Sequence, residues 1–515
     1  MKRVAPLVLC ALIVAGCAAT KDAVDTVKGK LGPSGDTKTL IVELVPGPYQ
    51  PSSLAIGVDR DLAQRRSVSP GFVHAEGLER YLQSLRVKLL DVSAVTGVPG
   101  VIRIVAEDSF DAYSTADGNV YIALGWFESF DNEDEVAALL AHELSHVLRK
   151  HHTADQLSKF QKQAMAAMTY GLEVQKTVGA AADKAQGSAG IKLPGKSGKA
   201  GTVPFTGNAD SNQRTLHRAQ MSINLTDKAL LPAWSRGQER EADLLGIDLL
   251  VKAGYDPGAM GSILTKLRAS EPSREALDKT RETQMTSATA EVQKGNWSDA
   301  AKLASTEFLS SMSSSHPPTE VRITDAGDYL RKFYPDLKAP PLRTVAWRKV
   351  QEESKNRTIL FNFGKSLSAE QTIRKGDVKA AYVLAKQGIA GPTAHESYPN
   401  WIASMAADVN NAPVDARRFA QEAVNAPEPV NAAFENYVGL LERQNNIRQA
   451  LVEAEAAQKI FGDVASWKVT RIRLLRKAGD EAGAKSLEVD CGLNAPEYKS
   501  LCSEAGNTAL GKSVK

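Results

Sequence analysis

The chain has 515 residues, 43% of them hydrophobic and 24% charged, with a formal net charge of +3. That length fits two or more domains, and the hydrophobic content allows full cores. A balance this close to neutral excludes nucleic acid, or acidic lipid, as a partner held by bulk charge.

Lys2 and Arg3 open the chain, and apolar Val4 to Ala15 follow. The run is too short to span a bilayer as a mature helix and fits a secretory signal. It ends Val14-Ala15-Gly16-Cys17, the small-residue-then-cysteine pattern of a bacterial lipoprotein signal. Residues 1–16 are therefore expected to leave as a signal peptide and Cys17 to carry lipid, giving a membrane attachment through the N-terminus. Ala18 follows, where an aspartate is associated with inner-membrane retention, so the expected place is the periplasmic face of the outer membrane. No later run of about 18 apolar residues exists. Residues 17–37 read as a polar tether. Thr39 to Val45 reads as a strand, broken by Pro46-Gly47-Pro48, and Ala75 to Leu90 as the first helix of a domain over 38–335.

His142-Glu143-Leu144-Ser145-His146 spell H-E-x-x-H inside an apolar helical stretch. Positions i and i+4 share a helix face, so two imidazoles there can grip one metal ion. Glu143, on the adjacent flank, can take a proton from a water that the metal activates. Apolar Val136, Leu139, Leu140, Val147 and Leu148 bury this helix, and two buried histidines need a partner. The alternative, two surface histidines, fits that apolar context poorly.

A zinc ion needs a third protein ligand. His152 has the metzincin spacing, but Arg149 stands where that motif needs glycine to end the helix. On a continuing helix His152 lies roughly 280° around from His142, so it is rejected, and with His151 it reads as a surface residue at a helix end. Ser235 to Asp243 offers a better source. Ser235 is a plausible N-cap, and Glu239 and Asp243 stand on one face of the following helix. Glu239 can ligate, and Asp243 can accept the spare N–H of a ligand histidine. Glu241 reads as a charged surface position.

Residues 153–185 look helical, and 186–213, rich in Gly, Ser, Lys and Asn, read as a flexible insertion: a loose loop, or a lid or docking loop. Residues 271–314 read as an inserted helical pair. After Pro341 alanine-rich helices recur. Ala381, Ala416, Ala450 and Ala484 follow one another at steps of 35, 34 and 34. A helix–turn–helix period of that length resembles tetratricopeptide repeats, which expose a concave groove for peptides or partner surfaces. The repeats are expected over 341–505, with a tail at 506–515. Cys491 and Cys502, in an oxidising compartment, are expected to form a local disulfide. His74, His217 and His395 have no partner spacing and read as ordinary polar residues.

The two motifs together resemble the HtpX and CAAX-prenyl-protease type of zinc metallopeptidase, a gluzincin family with H-E-x-x-H followed by E-x-x-A-D, here Glu239, Ala242 and Asp243. Asp111-Ala112-Tyr113 with Gly118 to Ile122 look like its edge strand, Gly254-Tyr255-Asp256-Pro257 like its turn, and Ser315-His316-Pro317-Pro318 to Arg322 like its late S-H-P…R motif. The resemblance implies an α+β zincin-like domain, mostly helical with a small sheet, ahead of the all-α repeats. It implies one zinc held by His142, His146 and Glu239, with Glu143 as general base and Asp243 behind a ligand. His316 and Arg322 are expected near the catalytic centre, on the substrate or as an inhibitory metal contact. Substrate is expected to add a strand along Asn119, Val120, Tyr121 and Ile122. The lack of spanning helices fits the family's soluble periplasmic branch. That branch implies an endopeptidase acting on misfolded or stalled outer-membrane proteins, with repeats recruiting clients or assembly machinery. The rival expectation is a repeat-based chaperone or scaffold in which proteolysis is repressed or rare.

Overall fold

The computed structural model describes residues 38–152, 236–270, 319–462 and 465–494, together with 502, 503 and 505. The expected signal, tether and Cys17, the helical stretch 153–185, the insertions at 186–213 and 271–314, His217, His316 and the tail lie outside these residues.

The predicted strand over Thr39 to Val45 is instead a 3-10 turn, Leu40–Glu43, followed by a two-residue strand β1 (Gly47–Pro48). Leu40, Ile41 and Leu44 are buried, and that spacing suits a turn rather than an alternating strand. Helix α1 spans Val58–Val68 and α2 Glu76–Asp91, the latter one residue off its predicted bounds. Leu78, Leu82, Leu85 and Leu89 recur at three and four and are buried, the stripe of a helix that covers a sheet. Strand β2 (Val95–Thr96) pairs in parallel with β1. Strands β3 (Ile102–Val105), β4 (Ala112–Ser114) and β5 (Val120–Ala123) form a second sheet in the order β3-β5-β4.

That order corrects the expected substrate strand. β5 is central, parallel to β3 on one side and antiparallel to β4 on the other. Asn119, Val120, Tyr121 and Ile122 are buried, and the β5 ladders are taken on both edges, so no further strand can add there. The outer strand beside the H-E-x-x-H helix is β4. Tyr113 lies opposite Tyr121, while Asp111 and Thr115 bond across to Ala123 and Asn119. The alternation leaves the backbone groups of Ala112 and Ser114 pointing away from β5.

After α3 (Gly125–Ser129), helix α4 (Glu133–Leu148) runs through the middle of the domain. The Asn132 side chain caps it by accepting from the Glu135 N–H at 3.0 Å. All its residues are buried, because α2, α5 (Arg236–Lys252) and α6 (Gly258–Ser270) pack around it. Gly246 lies where α5 crosses α4. A Cβ there would stand 3.3 Å from the His142 backbone nitrogen and 2.6 Å from Met260 Cε, so glycine permits a close crossing at the histidine. Helix α7 (Thr319–Phe333) packs on α5 and α6. The 3-10 turn docks on α5 and α7: Leu40 N–H donates to Tyr329 Oη and Ile41 N–H to Asp248, both at 2.9 Å.

Helices α8 (Thr344–Gln351) and α9 (Ser354–Arg374) lead into the second region. There α9 pairs with α10 (Val378–Gly388), α11 (Ser397–Val409) with α12 (Pro413–Asn425), α13 (Asn431–Arg443) with α14 (Ile447–Phe461), and α15 (Ala465–Lys477) with α16 (Glu481–Asn494). The first helices of the last three hairpins begin at 397, 431 and 465, a 34-residue step. Ala381, Ala416, Ala450 and Ala484 are all fully buried, as small residues at helix crossings should be. The region is a tetratricopeptide-like array of hairpins. Cys491, on α16, is disulfide-bonded to Cys502, and both pack with Ile472, Ala484 and Ala505. The bond fastens Cys502 onto the last described hairpin.

The two regions touch. His74 sits between Glu396, 2.5 Å from its Nδ1, and Glu428 on its Nε2; Arg103 also pairs with Glu428. His74 is thus a charged joint and not a lone polar residue. Burial by itself would lower its pKa, but the two carboxylates outweigh burial and push it up to about 9.

Candidate metal centre

The helical spacing does what it predicts. His142 and His146 project from one face of α4, and Glu239 meets them from α5. His142 Nε2 and His146 Nε2 are 3.2 Å apart, and Glu239 carboxylate oxygens lie 3.7 Å and 3.9 Å from them. Tetrahedral coordination at about 2.0–2.1 Å sets ligand atoms roughly 3.3 Å apart, so the three fit one small divalent cation. They are the group of metal-binding residue types that converges among the described residues. All three are buried. Three electron-rich atoms facing one another away from water are costly without a cation between them.

Asp243 stands one turn after Glu239, and its Oδ1 is 2.9 Å from His142 Nδ1. Burial would raise the Asp243 pKa, but Arg322 and His142 outweigh it and hold the carboxyl low. A carboxylate only accepts, so this close contact favours the proton on Nδ1, without an aligned hydrogen bond in this structure, and leaves the lone pair of Nε2 for the metal position. Burial works to lower the His142 pKa and the Asp243 carboxylate raises it, the latter prevailing.

Arg322 grips Asp243 with Nε and Nη2, both at 2.8 Å, and reaches Glu239 with Nη1 at 2.9 Å. Its guanidinium is buried and turned onto these carboxylates. Arg322, expected near the centre on the substrate or as an inhibitory metal contact, has its guanidinium set on Glu239 and on the carboxylate beside His142.

Glu143 is buried, and its Oε2 has no hydrogen-bond partner among the described residues. Burial pushes its pKa up to about 7; a divalent cation alongside would pull it back down. Its backbone carbonyl accepts from Ser114 Oγ at 2.9 Å, which ties Glu143 to the outer strand β4.

The end of α4 departs from expectation. The helix stops at Leu148 although no glycine follows. Lys150 takes φ 54°, His151 N–H bonds the His146 carbonyl at 3.0 Å and Lys150 N–H the Val147 carbonyl at 3.0 Å. This is a Schellman turn with lysine in the position glycine favours. It folds the chain back, so His151 and His152 are buried rather than exposed. His152 is still no ligand: its Nε2 lies 3.0 Å from the Ser114 carbonyl oxygen on β4, and burial lowers its pKa to about 4. His151 Nδ1 lies 2.9 Å from His146 Nδ1, and its Nε2 lies 3.0 Å from Glu241. Sequence reading missed this pair; His151, five residues after His146, was the available signal.

Comparison with known proteins agrees with this geometry. Residues 77–329 match the model of Peptidase family M48. The beta-barrel assembly-enhancing protease of Yersinia pestis is 27% identical over 248 residues, 46% of this chain and 44% of that protein. The protein of the same name from Escherichia coli (strain K12) is 27% identical over 221 residues, 42% and 39% of the two chains. The match thus spans under half the length of these relatives. A solved structure titled "Functional Characterization of Pseudomonas Aeruginosa pilF" covers 44% of this chain and 99% of its own at 13% identity. Its TM-score is 0.23, too low to bear on the fold. The H-E-x-x-H helix, Glu239 and Asp243 all lie inside this stretch, so residues 77–329 resemble a metallopeptidase domain of the Peptidase family M48 type.

Proposed function

We propose that the protein is a zinc endopeptidase working at the periplasmic face of the outer membrane on misfolded or stalled outer-membrane proteins. The observation that carries this is the convergence of His142, His146 and Glu239 beside the unpartnered Oε2 of Glu143. A zinc ion held by those three residues polarises a substrate carbonyl and acidifies water. Glu143 takes the proton of the attacking water and delivers it to the leaving amine. Asp243 and Arg322 keep His142 and Glu239 aimed. Substrate lies extended along β4, where Ser114 adjoins Glu143, and displaces His152 from the Ser114 carbonyl.

The names of the relatives support outer-membrane protein assembly as the setting. The 34-residue hairpins supply the surface for clients or assembly partners. The lipobox at Cys17 supplies the anchor, and no described helix is long and apolar enough to cross a membrane. The assignment divides the chain into a signal at 1–16, a tether at 17–37, a peptidase domain at 38–335, repeats at 341–505 and a tail at 506–515. His316, from the S-H-P motif, acts on the same centre, either occupying the open metal position to keep the enzyme latent or donating to the oxyanion.

The test is zinc content together with cleavage of casein and of an unfolded outer-membrane protein, before and after chelation. About one zinc per chain and chelator-sensitive cleavage support the reading. Stoichiometric zinc with no cleavage of either substrate would favour the scaffold alternative.

A further inference from the structure

Each metal-facing histidine needs one fixed tautomer. Its inner nitrogen must carry a lone pair, so its outer nitrogen must carry the proton and donate it. For His142 that outer nitrogen faces Asp243, at 2.9 Å. His146 is reached differently. Its Nδ1 instead meets Nδ1 of His151 at 2.9 Å, and His151 Nε2 meets Glu241 Oε2 at 3.0 Å.

We propose that Glu241 and His151 are positioning residues for the metal ligand His146, forming a relay that fixes its tautomer and ring orientation. The proposal rests on the zinc reading of the site. The carboxylate of Glu241 accepts from His151 Nε2–H. That leaves a lone pair on His151 Nδ1, which accepts from His146 Nδ1–H. The lone pair of His146 Nε2 then faces His142 Nε2 and Glu239. The reverse assignment places a proton on His146 Nε2, where it blocks ligation.

Independent features hold the relay in place. His151 is buried, and Gln238 donates to its carbonyl at 3.2 Å. Arg149 anchors the other oxygen of Glu241 at 3.1 Å and reaches Glu43 at 3.2 Å. The turn that delivers His151 keeps a lysine at φ 54°, a left-handed conformation that is unfavourable for a non-glycine residue. Without that reversal His151 could not lie against His146. Glu239, Glu241 and Asp243 thus serve the metal from one helix: directly, through His151, and through His142.

The experiment uses the full-length protein and two readouts that do not depend on catalysis. Zinc affinity is measured by chelator competition for wild type, His151→Ala, His151→Gln and Glu241→Gln, with circular dichroism to check folding. His151→Ala and Glu241→Gln are expected to weaken zinc about 10- to 100-fold, the usual effect of losing an outer-shell partner. His151→Gln, whose carbonyl can accept from His146 and whose amide can donate to Glu241, should recover most of that loss. Long-range 1H–15N spectra of the metal-free wild type should show His146 protonated at Nδ1. Folded His151→Ala and Glu241→Gln variants with zinc affinity within about twofold of wild type would overturn the proposal, as would a proton on His146 Nε2. If His151→Ala does not fold, Glu241→Gln at the partly exposed end of the relay still decides. A wild type that binds no zinc would instead refute the reading of the site, whatever the spectra show.

Discussion

Replacing His74 with glutamine removes a cation clamped between the peptidase domain and the repeats. His74 lies in the short segment before α2, while Glu396 and Glu428 precede α11 and α13. An imidazole raised from 6.5 to about 9 stabilises the folded protein by about 3 kcal/mol when charged, at about 1.4 kcal/mol per tenfold change in proton affinity. Because the folded-state pKa is the higher one, this stabilisation is complete below 6.5 and is lost as the pH rises through about 9. Urea unfolding of wild type and His74→Gln, followed by tryptophan fluorescence, gives the stability gap at each pH. The gap should be largest at about pH 6 and should narrow by about 3 kcal/mol by about pH 10. A gap of equal size at the two pH values would refute the charged-joint account, because glutamine alters packing at both.

Glu239→Ala should lose bound zinc along with activity, since it removes a ligand, whereas Asp243→Ala should weaken zinc by roughly 10- to 100-fold; metal content by mass spectrometry separates them. His316→Ala should raise basal cleavage of an unstructured substrate if His316 plugs the metal position, and a fall in rate with zinc retained would assign it to the oxyanion. Cys17→Ser should release the protein from membranes with its casein-cleaving rate intact, and a variant still fractionating with the outer membrane would point to another anchor.

What was legible in the sequence was local or periodic. H-E-x-x-H and the Glu239–Asp243 spacing state their own geometry, because a helix fixes which residues share a face. The 34-residue step of buried alanines survives into the hairpins for the same reason, and Cys491 and Cys502 are close in sequence. The errors concern contacts that spacing does not encode. Asn119 to Ile122 read as an edge because strand order is set by long-range pairing, and β4 takes the outside position. His151 read as surface because Lys150 hides a left-handed turn that glycine would have announced. His74 read as isolated because its partners lie 322 and 354 residues away. Arg322 read as a group for the substrate or the metal because the motif gives its neighbourhood but not the carboxylates it holds.

The central claim is that Glu143 is the base beside a metal that it does not itself ligate. Its most direct test is Glu143→Gln, assayed beside wild type for zinc per chain and for cleavage rate on one unfolded substrate. The account predicts equal zinc and a rate lower by about 10²-fold or more, as for loss of a general base. Wild-type-like cleavage by Glu143→Gln, or loss of its zinc, would contradict it.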